Sequence, residues 1–454
     1  MTTSTTTAST TTATTTATTT ATSATTSATT TTTPPLPHWE EAPEDLGTAI
    51  REIKAAIRTR IEASGSTVEE VFAKVEAKVR AEVEDIKAAK ARGESVWPEV
   101  DFADVEAGTV SYETLALLRR RGCVVIRGHF PREQAQGWDR DILDYVERNH
   151  FFESYRGPGD DFFGTVGSKP EIYPVYWSPT QMEARQHPRM ARAQAFLNGL
   201  WKSESEGVRW FDPERDSLYP DRIRRRPPGA TSAGLGSHLD PGTLDLWMTQ
   251  GYQQHFRHLF DGNVDAYDPW DAAYRTDAAQ YPGSTMCSVF RTFQGWTALS
   301  EMDHDQGVLY TVPIPHAMAY LMLRPLLPDV PEDEMCGVTV NQVFPANEQW
   351  HPLLLEATAG IPDVQPGDSV WWHCDMIHGV EPVEDQKGWG NVMYIPAAPW
   401  CAKNAAYAEL VLKAFRAGES PADFPEEHYE VEWADRYRED QLNDTGRRGL
   451  GLTG

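Results

Sequence analysis

The chain lacks any hydrophobic run approaching the ~20 apolar residues that a membrane span needs. It is also short of positive charge: 41 Lys and Arg stand against 67 Asp and Glu, a formal net charge of −26. Such a field repels nucleic-acid phosphates and anionic lipid surfaces, so neither nucleic acid nor membrane is expected as a partner. Cysteine is scarce, five residues in 454, odd in number and without a C-x-x-C pair. That scatter argues against a disulfide scaffold or a zinc ribbon and favours a reducing, cytoplasmic location. There is no G-x-x-x-x-G-K-[ST], no G-x-S-x-G and no strand-linked G-x-G-x-x-G. Phosphate-loop, hydrolase-elbow and dinucleotide-binding readings therefore lose support.

What is present divides the chain into three stretches. After Met1, residues up to 33 are only Thr, Ser and Ala. They offer too little apolar surface to offset the entropy of ordering, so residues 1–43 read as a disordered Thr-rich tail and a Pro linker. Residues 44–95 read as a helical hairpin packed on the core. Leu46, Ile50, Ile53, Ile57 and Ile61 form one apolar stripe, and Val68, Phe72, Val75, Val79, Val83 and Ile86 a second. Ser66 with Glu69 fits a capping box between them. An amphipathic face also suits a partner or dimer helix, so a homo-oligomer stays open.

Residues 96–454 carry the texture of a β-rich domain. A buried strand is expected near 121–128, and a helix from Arg132 to about Asn149. Between Leu235 and Pro399 the candidate strands are 243–249, 286–299, 307–313, 317–323, 337–343, 368–374, 377–383 and 391–396. Many short strands separated by Gly and Pro turns indicate a sandwich or barrel. The expected class is α+β: a double-stranded β-helix (jelly-roll) core with flanking helices and an N-terminal helical elaboration.

The sharpest local feature is Gly236–Ser237–His238–Leu239–Asp240–Pro241–Gly242. On an extended strand, positions i and i+2 share a face, so His238 and Asp240 can grip one ion. A third ligand is expected from a separate strand, and His378 supplies the candidate, following Gln365–Pro366–Gly367–Asp368 and a Val-Trp-Trp run. Two imidazoles and a carboxylate on one side of an ion suit non-haem Fe(II), with open positions for an oxidisable cosubstrate and O2. His373, five residues before His378, falls on the opposite strand face and is not taken as a ligand; His373 and Asp375 could orient one. Asp303–His304–Asp305 reads as an exposed loop, and His255 and His258 as structural. The cluster Arg222, Arg224, Arg225 and Arg226 suits the reception of an anionic substrate, but reads first as a solvated loop. Most of the tryptophans must be core, with Trp296, Trp371 and Trp372 candidates for a pocket wall.

The order H-x-D, Phe290–Arg291–Thr292–Phe293–Gln294–Gly295–Trp296, Gly307 to Pro313, and Pro-Gly-Asp…His378 resembles the Fe(II)/2-oxoglutarate oxygenase superfamily, in its phytanoyl-CoA-hydroxylase-like branch. More narrowly, with Asn391 to Pro399 and Leu442 to Leu450, residues 44–452 resemble the YbiU-like family. The superfamily resemblance implies the jelly-roll fold, iron held by His238, Asp240 and His378, and 2-oxoglutarate as cosubstrate. It also implies a cation about ten residues past the second His, to anchor the distal carboxylate. The last strand carries none, so Lys387 and Arg291 are the two candidates. The expected activity is a hydroxylation or related oxidation of a small molecule; Asp240 fills the position that a halogenase leaves vacant. The competing readings are a non-redox cupin-like metalloenzyme and a non-catalytic binding protein that retains the fold.

Overall fold

The computed structural model describes Met1 and residues 35–157, 171–282, 287–340 and 342–452. The Thr-rich tail, apart from Met1, lies outside the described residues. The folded unit begins at Leu36, which is buried, and the Trp39 backbone N–H donates to Met248 O at 3.0 Å. Residues placed in the linker thus already pack.

Two helices follow, α1 (Leu46–Ala63) and α2 (Val68–Ala91). The expected apolar stripes are their buried faces, with Ile53, Ile57, Val79 and Val83 almost fully enclosed. The capping box forms one residue later than Ser66–Glu69 suggests. Thr67 has extended backbone, so its hydroxyl accepts from the Glu70 N–H while the Glu70 carboxylate accepts from the Thr67 N–H. α2 lies on the helix Ala317–Leu323 (α3), where the Phe72 and Tyr320 rings meet at 4.8 Å. Lys54 is buried and donates to Pro331 O and Glu334 O at 2.8 and 3.0 Å.

The remainder is α+β, built around two sheets. Their strands are β1 (Glu99–Asp101), β2 (Cys123–Arg127), β3 (Ile172–Tyr173), β4 (Ile223–Arg226), β5 (Leu235–Leu239), β6 (Phe293–Ala298), β7 (Leu309–Thr311), β8 (Phe344–Pro345), β9 (Ala359–Gly360), β10 (Ser369–His373), β11 (His378–Val380) and β12 (Gly390–Tyr394). The larger sheet runs β1-β2-β10-β6-β12-β4-β3 and the smaller β8-β5-β11-β7-β9. All pairings are antiparallel except β1–β2. One apolar cluster draws on both sheets: Val125, Trp296, Val370, Trp372 and Val392 from the larger, Leu309 and Ala359 from the smaller. At roughly 1.5–3 kcal/mol for each large apolar side chain enclosed, this layer fixes the two sheets face to face. Gly295 in β6 is required by packing, because a Cβ there would lie 2.3 Å from the Trp371 ring.

Several expected elements differ. The stretch 243–249 holds the helix Asp245–Met248, and 317–323 is α3. Both are enclosed on every side, so burial carries no period to distinguish helix from strand, and 317–323 is an unbroken apolar run. No strand forms in 337–343 among the described residues; pairing begins at Phe344. The arginine cluster is not a solvated loop, since Ile223–Arg226 is β4 and Arg224, Arg225 and Arg226 are buried. Burial is supported by partners distant in sequence: Asp139 3.2 Å from Arg225, and Glu171 3.1 Å from Arg226. Arg224 Nε donates to Gly390 O at 3.3 Å.

The core also predicts acid sensitivity. Burial pushes His129 and His351 down to about 3, and His255 and His373 down to about 4. These folded values lie below the ordinary ~6.5, so the unfolded chain takes up protons first as pH falls. Their contribution is whole above pH ~6.5 and declines between ~6.5 and ~4. Burial raises Asp216 and Glu430 to about 7 and pushes Asp139, Asp221, Asp245 and Asp423 up as well, which acts in the opposite sense. Burial also pushes down His187, His238, His258 and His316, so six carboxyls stand against eight histidines. The melting temperature is expected to fall steadily from about pH 6.5 to about pH 4.5, and a rise over that interval would refute the assignment.

Candidate metal centre

His238 and His378 are brought together by strand pairing. They are direct partners in the β5–β11 register, and their rings stand 4.3 Å apart. Asp240 lies one residue beyond the end of β5, turned back towards both. Its Oδ1 is 3.5 Å from His238 Nε2 and its Oδ2 is 3.5 Å from His378 Nε2. The three possible ligand atoms all lie within 4.8 Å of one another.

The backbone sets the tautomer of each imidazole. His238 Nδ1 is 2.7 Å from Gly236 O, and His378 Nδ1 is 3.0 Å from Met376 O. A carbonyl only accepts, so each Nδ1 carries hydrogen and donates, which leaves Nε2 as the nitrogen that faces Asp240. Burial, reinforced by the neighbouring His378, pushes His238 down to about 4, so it is neutral at physiological pH. Burial works against the charge of Asp240, yet His378, His238 and Arg291 hold its carboxyl below the usual range. Two imidazole Nε2 atoms and a carboxylate facing one another are the donor set of a divalent cation. The residues present therefore fit a metal.

Arg291 reaches the same place. It precedes β6 by two residues instead of lying within the strand, and its Nη2 is 3.8 Å from Asp240 Oδ2. Lys387 is not brought there: its side chain is 70% exposed and stands 3.6 Å from Asp305 Oδ2. His373 is engaged elsewhere. Its Nδ1 accepts from the Asp375 N–H and its Nε2 donates to Pro269 O, while the ring stacks on Trp201 at 4.5 Å. Asp375 pairs with Arg275. In the group His373–Cys374–Asp375 both ring nitrogens of His373 and Oδ1 of Asp375 are thus engaged by the fold.

The centre opens into a cavity of about 190 Å³, whose wall includes Tyr219, Asp221, Arg222, Arg291, Trp372 and Phe424. Of the three tryptophans singled out, Trp372 is on this wall; Trp296 and Trp371 are core. Arg222, read as part of a loop cluster, is on it too, with its guanidinium 4.8 Å from the Phe424 ring centre. Tyr219, Asp221, Asp423 and Phe424 escape sequence reasoning. They stand outside any periodic element and far apart along the chain, so no local spacing marks them.

A family model, Gig2-like, matches residues 44–452. The uncharacterized protein YbiU of Escherichia coli (strain K12) is 56% identical over 413 residues, covering 90% of this chain and 97% of that protein. Among solved structures, a candidate oxidoreductase from Salmonella typhimurium LT2 is 56% identical with a TM-score of 0.87, covering 91% of this chain and 99% of its own. The product of GlcNAc Inducible Gene 2 (GIG2) from Candida albicans is 25% identical with a TM-score of 0.70, covering 92% and 91%.

Proposed function

The chain belongs to the Gig2-like family, and on that premise we propose that it is an oxidoreductase, an Fe(II)- and 2-oxoglutarate-dependent oxygenase acting on a small molecule. The observation that carries this reading is the convergence of two imidazole Nε2 atoms and one carboxylate beside a cavity. One similar protein, from Salmonella, bears an oxidoreductase name. Support for the reading also comes from the strand orders β4-β12-β6-β10 and β5-β11-β7-β9 in two sheets that share one apolar cluster, an arrangement compatible with a double-stranded β-helix.

His238, Asp240 and His378 would hold iron on one face, leaving the cavity side for ligands. Iron there would supply the activation of O2 coupled to oxidative decarboxylation of 2-oxoglutarate to succinate. The protein's own part is binding, orientation and exclusion of water. The Gly236 and Met376 carbonyls fix the two imidazole planes, as hydrogen bonds behind metal-bound histidines do. Arg291 supplies positive charge at Asp240, inside a protein whose net charge opposes the entry of an anion.

The test is an anaerobic titration of the Fe(II)-loaded protein with 2-oxoglutarate, followed by the visible absorption that a 2-oxo acid gives on binding iron. No band with iron demonstrably bound would sink the reading. In the same titration Arg291→Ala should weaken binding about ten- to hundredfold, the worth of a charged hydrogen bond. Lys387→Ala, exposed and remote, should leave it unchanged. Equal effects would remove Arg291 from the role.

A further inference from the structure

Gln294 and Trp372 each bring to the cavity wall a hydrogen-bond donor that finds no partner among the described residues. Gln294 of β6 and Trp372 of β10 are directly opposed in the register of those strands, so their side chains leave the sheet side by side on one face. Both line the cavity that contains His238, Asp240 and His378. They are 6% and 5% exposed, yet Gln294 Nε2 and Trp372 Nε1 have no hydrogen-bond partner among the described residues. By contrast, buried Trp247 donates to Met322 O at 2.9 Å and Trp371 to Ser369 Oγ at 2.7 Å. A buried N–H without an acceptor is costly, and a paired arrangement of two on a cavity wall is the form that a binding site takes. The Trp372 ring lies 5.3 Å from that of His378, so the pair adjoins the metal centre.

We propose that Gln294 Nε2–H and Trp372 Nε1–H form a neutral two-donor cradle for the far carboxylate of a 2-oxo diacid. Indole can only donate, and a glutamine amide turned to match it presents a second donor, so the cradle takes an oxygen acceptor and not an ammonium group. Arg291, beside Asp240, serves the end of the ligand nearest the metal centre. This division explains how an anionic diacid is held without a cation on β12, whose residues are Gly390, Asn391, Val392, Met393 and Tyr394. Only the identity of the ligand rests on the oxygenase reading; the cradle itself stands on its two donors.

The experiment uses the full-length Fe(II)-loaded protein under anaerobic conditions, titrated with 2-oxoglutarate and with 2-oxobutyrate, which lacks the far carboxylate. Trp372→Phe removes the N–H and keeps a ring; Gln294→Leu removes the amide. Each should weaken 2-oxoglutarate binding about tenfold and leave 2-oxobutyrate unaffected. A purely structural role would weaken both acids equally, and that result, or no weakening of either, overturns the cradle. If neither acid gives a band with the unaltered protein, the oxygenase reading fails on its own. The cradle is then read by calorimetric titration with glutarate. Binding that Trp372→Phe weakens supports it, and no binding to the unaltered protein overturns it.

Discussion

Replacing Asp240 by alanine is expected to lower iron(II) affinity by more than the ~10–100-fold that loss of an outer hydrogen-bond partner costs. The reason lies in charge as much as in ligand number. Asp240 is the single anion of the donor set, and Arg291 stands 3.8 Å from its Oδ2. Removing the carboxylate leaves two imidazoles and no anion between them and the Arg291 guanidinium, which repels the cation that the site would hold. His378→Ala removes a ligand but keeps the Asp240–Arg291 pair, so its effect should be smaller than that of Asp240→Ala. Arg291→Ala should retain iron. Metal analysis after anaerobic reconstitution reads the stoichiometry, and thermal unfolding with and without Fe(II) reads the linkage. At a metal concentration a hundred times Kd, binding stabilises the native state by about 2.7 kcal/mol, and the Asp240→Ala protein should show none of it. A variant that still binds iron like the unaltered protein removes Asp240 from the donor set.

The parts of this site that were legible in the chain are those written locally. His238 and Asp240 stand two apart at the end of a strand between Gly and Pro turns, and His378 precedes the glycine of β11. Spacing of that kind survives folding because a strand imposes a period of two. Arginines 224–226 were illegible for the opposite reason. A run of cations reads as solvated unless its acids are known, and Asp139 and Glu171 lie far away in sequence. The same limit hid the wall residues Tyr219, Asp221 and Phe424. Enclosure hid helix identity at 317–323, where every residue is buried and the amphipathic signal vanishes. Gln294 stands within the Phe290–Trp296 motif, but its place beside Trp372 depends on the strand register that sets the two opposite each other. Local chemistry thus marks the metal centre, whereas the shape and charge of the cavity are products of long-range pairing.

Asp375→Ala is expected to destabilise the fold by about 3–5 kcal/mol, the range for breaking a buried pair from one side. The side chains of Arg275 and Asp375 are 4% and 1% exposed and joined by a hydrogen bond from Arg275 Nη2 to Asp375 Oδ1. Burial by itself would neutralise Asp375, and Arg275 outweighs it, holding the carboxyl below the ordinary range. With the carboxylate gone, Arg275 keeps its charge beneath the Tyr252 ring, 5.1 Å from the ring centre, with no other anion to pair with it among the described neighbours. Chemical denaturation should therefore show a large loss for Asp375→Ala and a smaller one for Asp375→Asn, which keeps an acceptor for the guanidinium. Replacing both partners by apolar residues, Arg275→Met with Asp375→Leu, should recover most of the loss, since a buried pair is worth little beyond a well-packed apolar substitute. The loss should also reach the metal centre. The segment from Asp375 to His378 is pinned by the Asp375 N–H to His373 Nδ1 contact at 3.1 Å, and Met376 O within it orients the His378 ring. Iron affinity should thus drop in Asp375→Ala and return in the apolar double variant; a double variant no more stable than the single one would show that the segment needs the ion pair itself and not merely a filled volume.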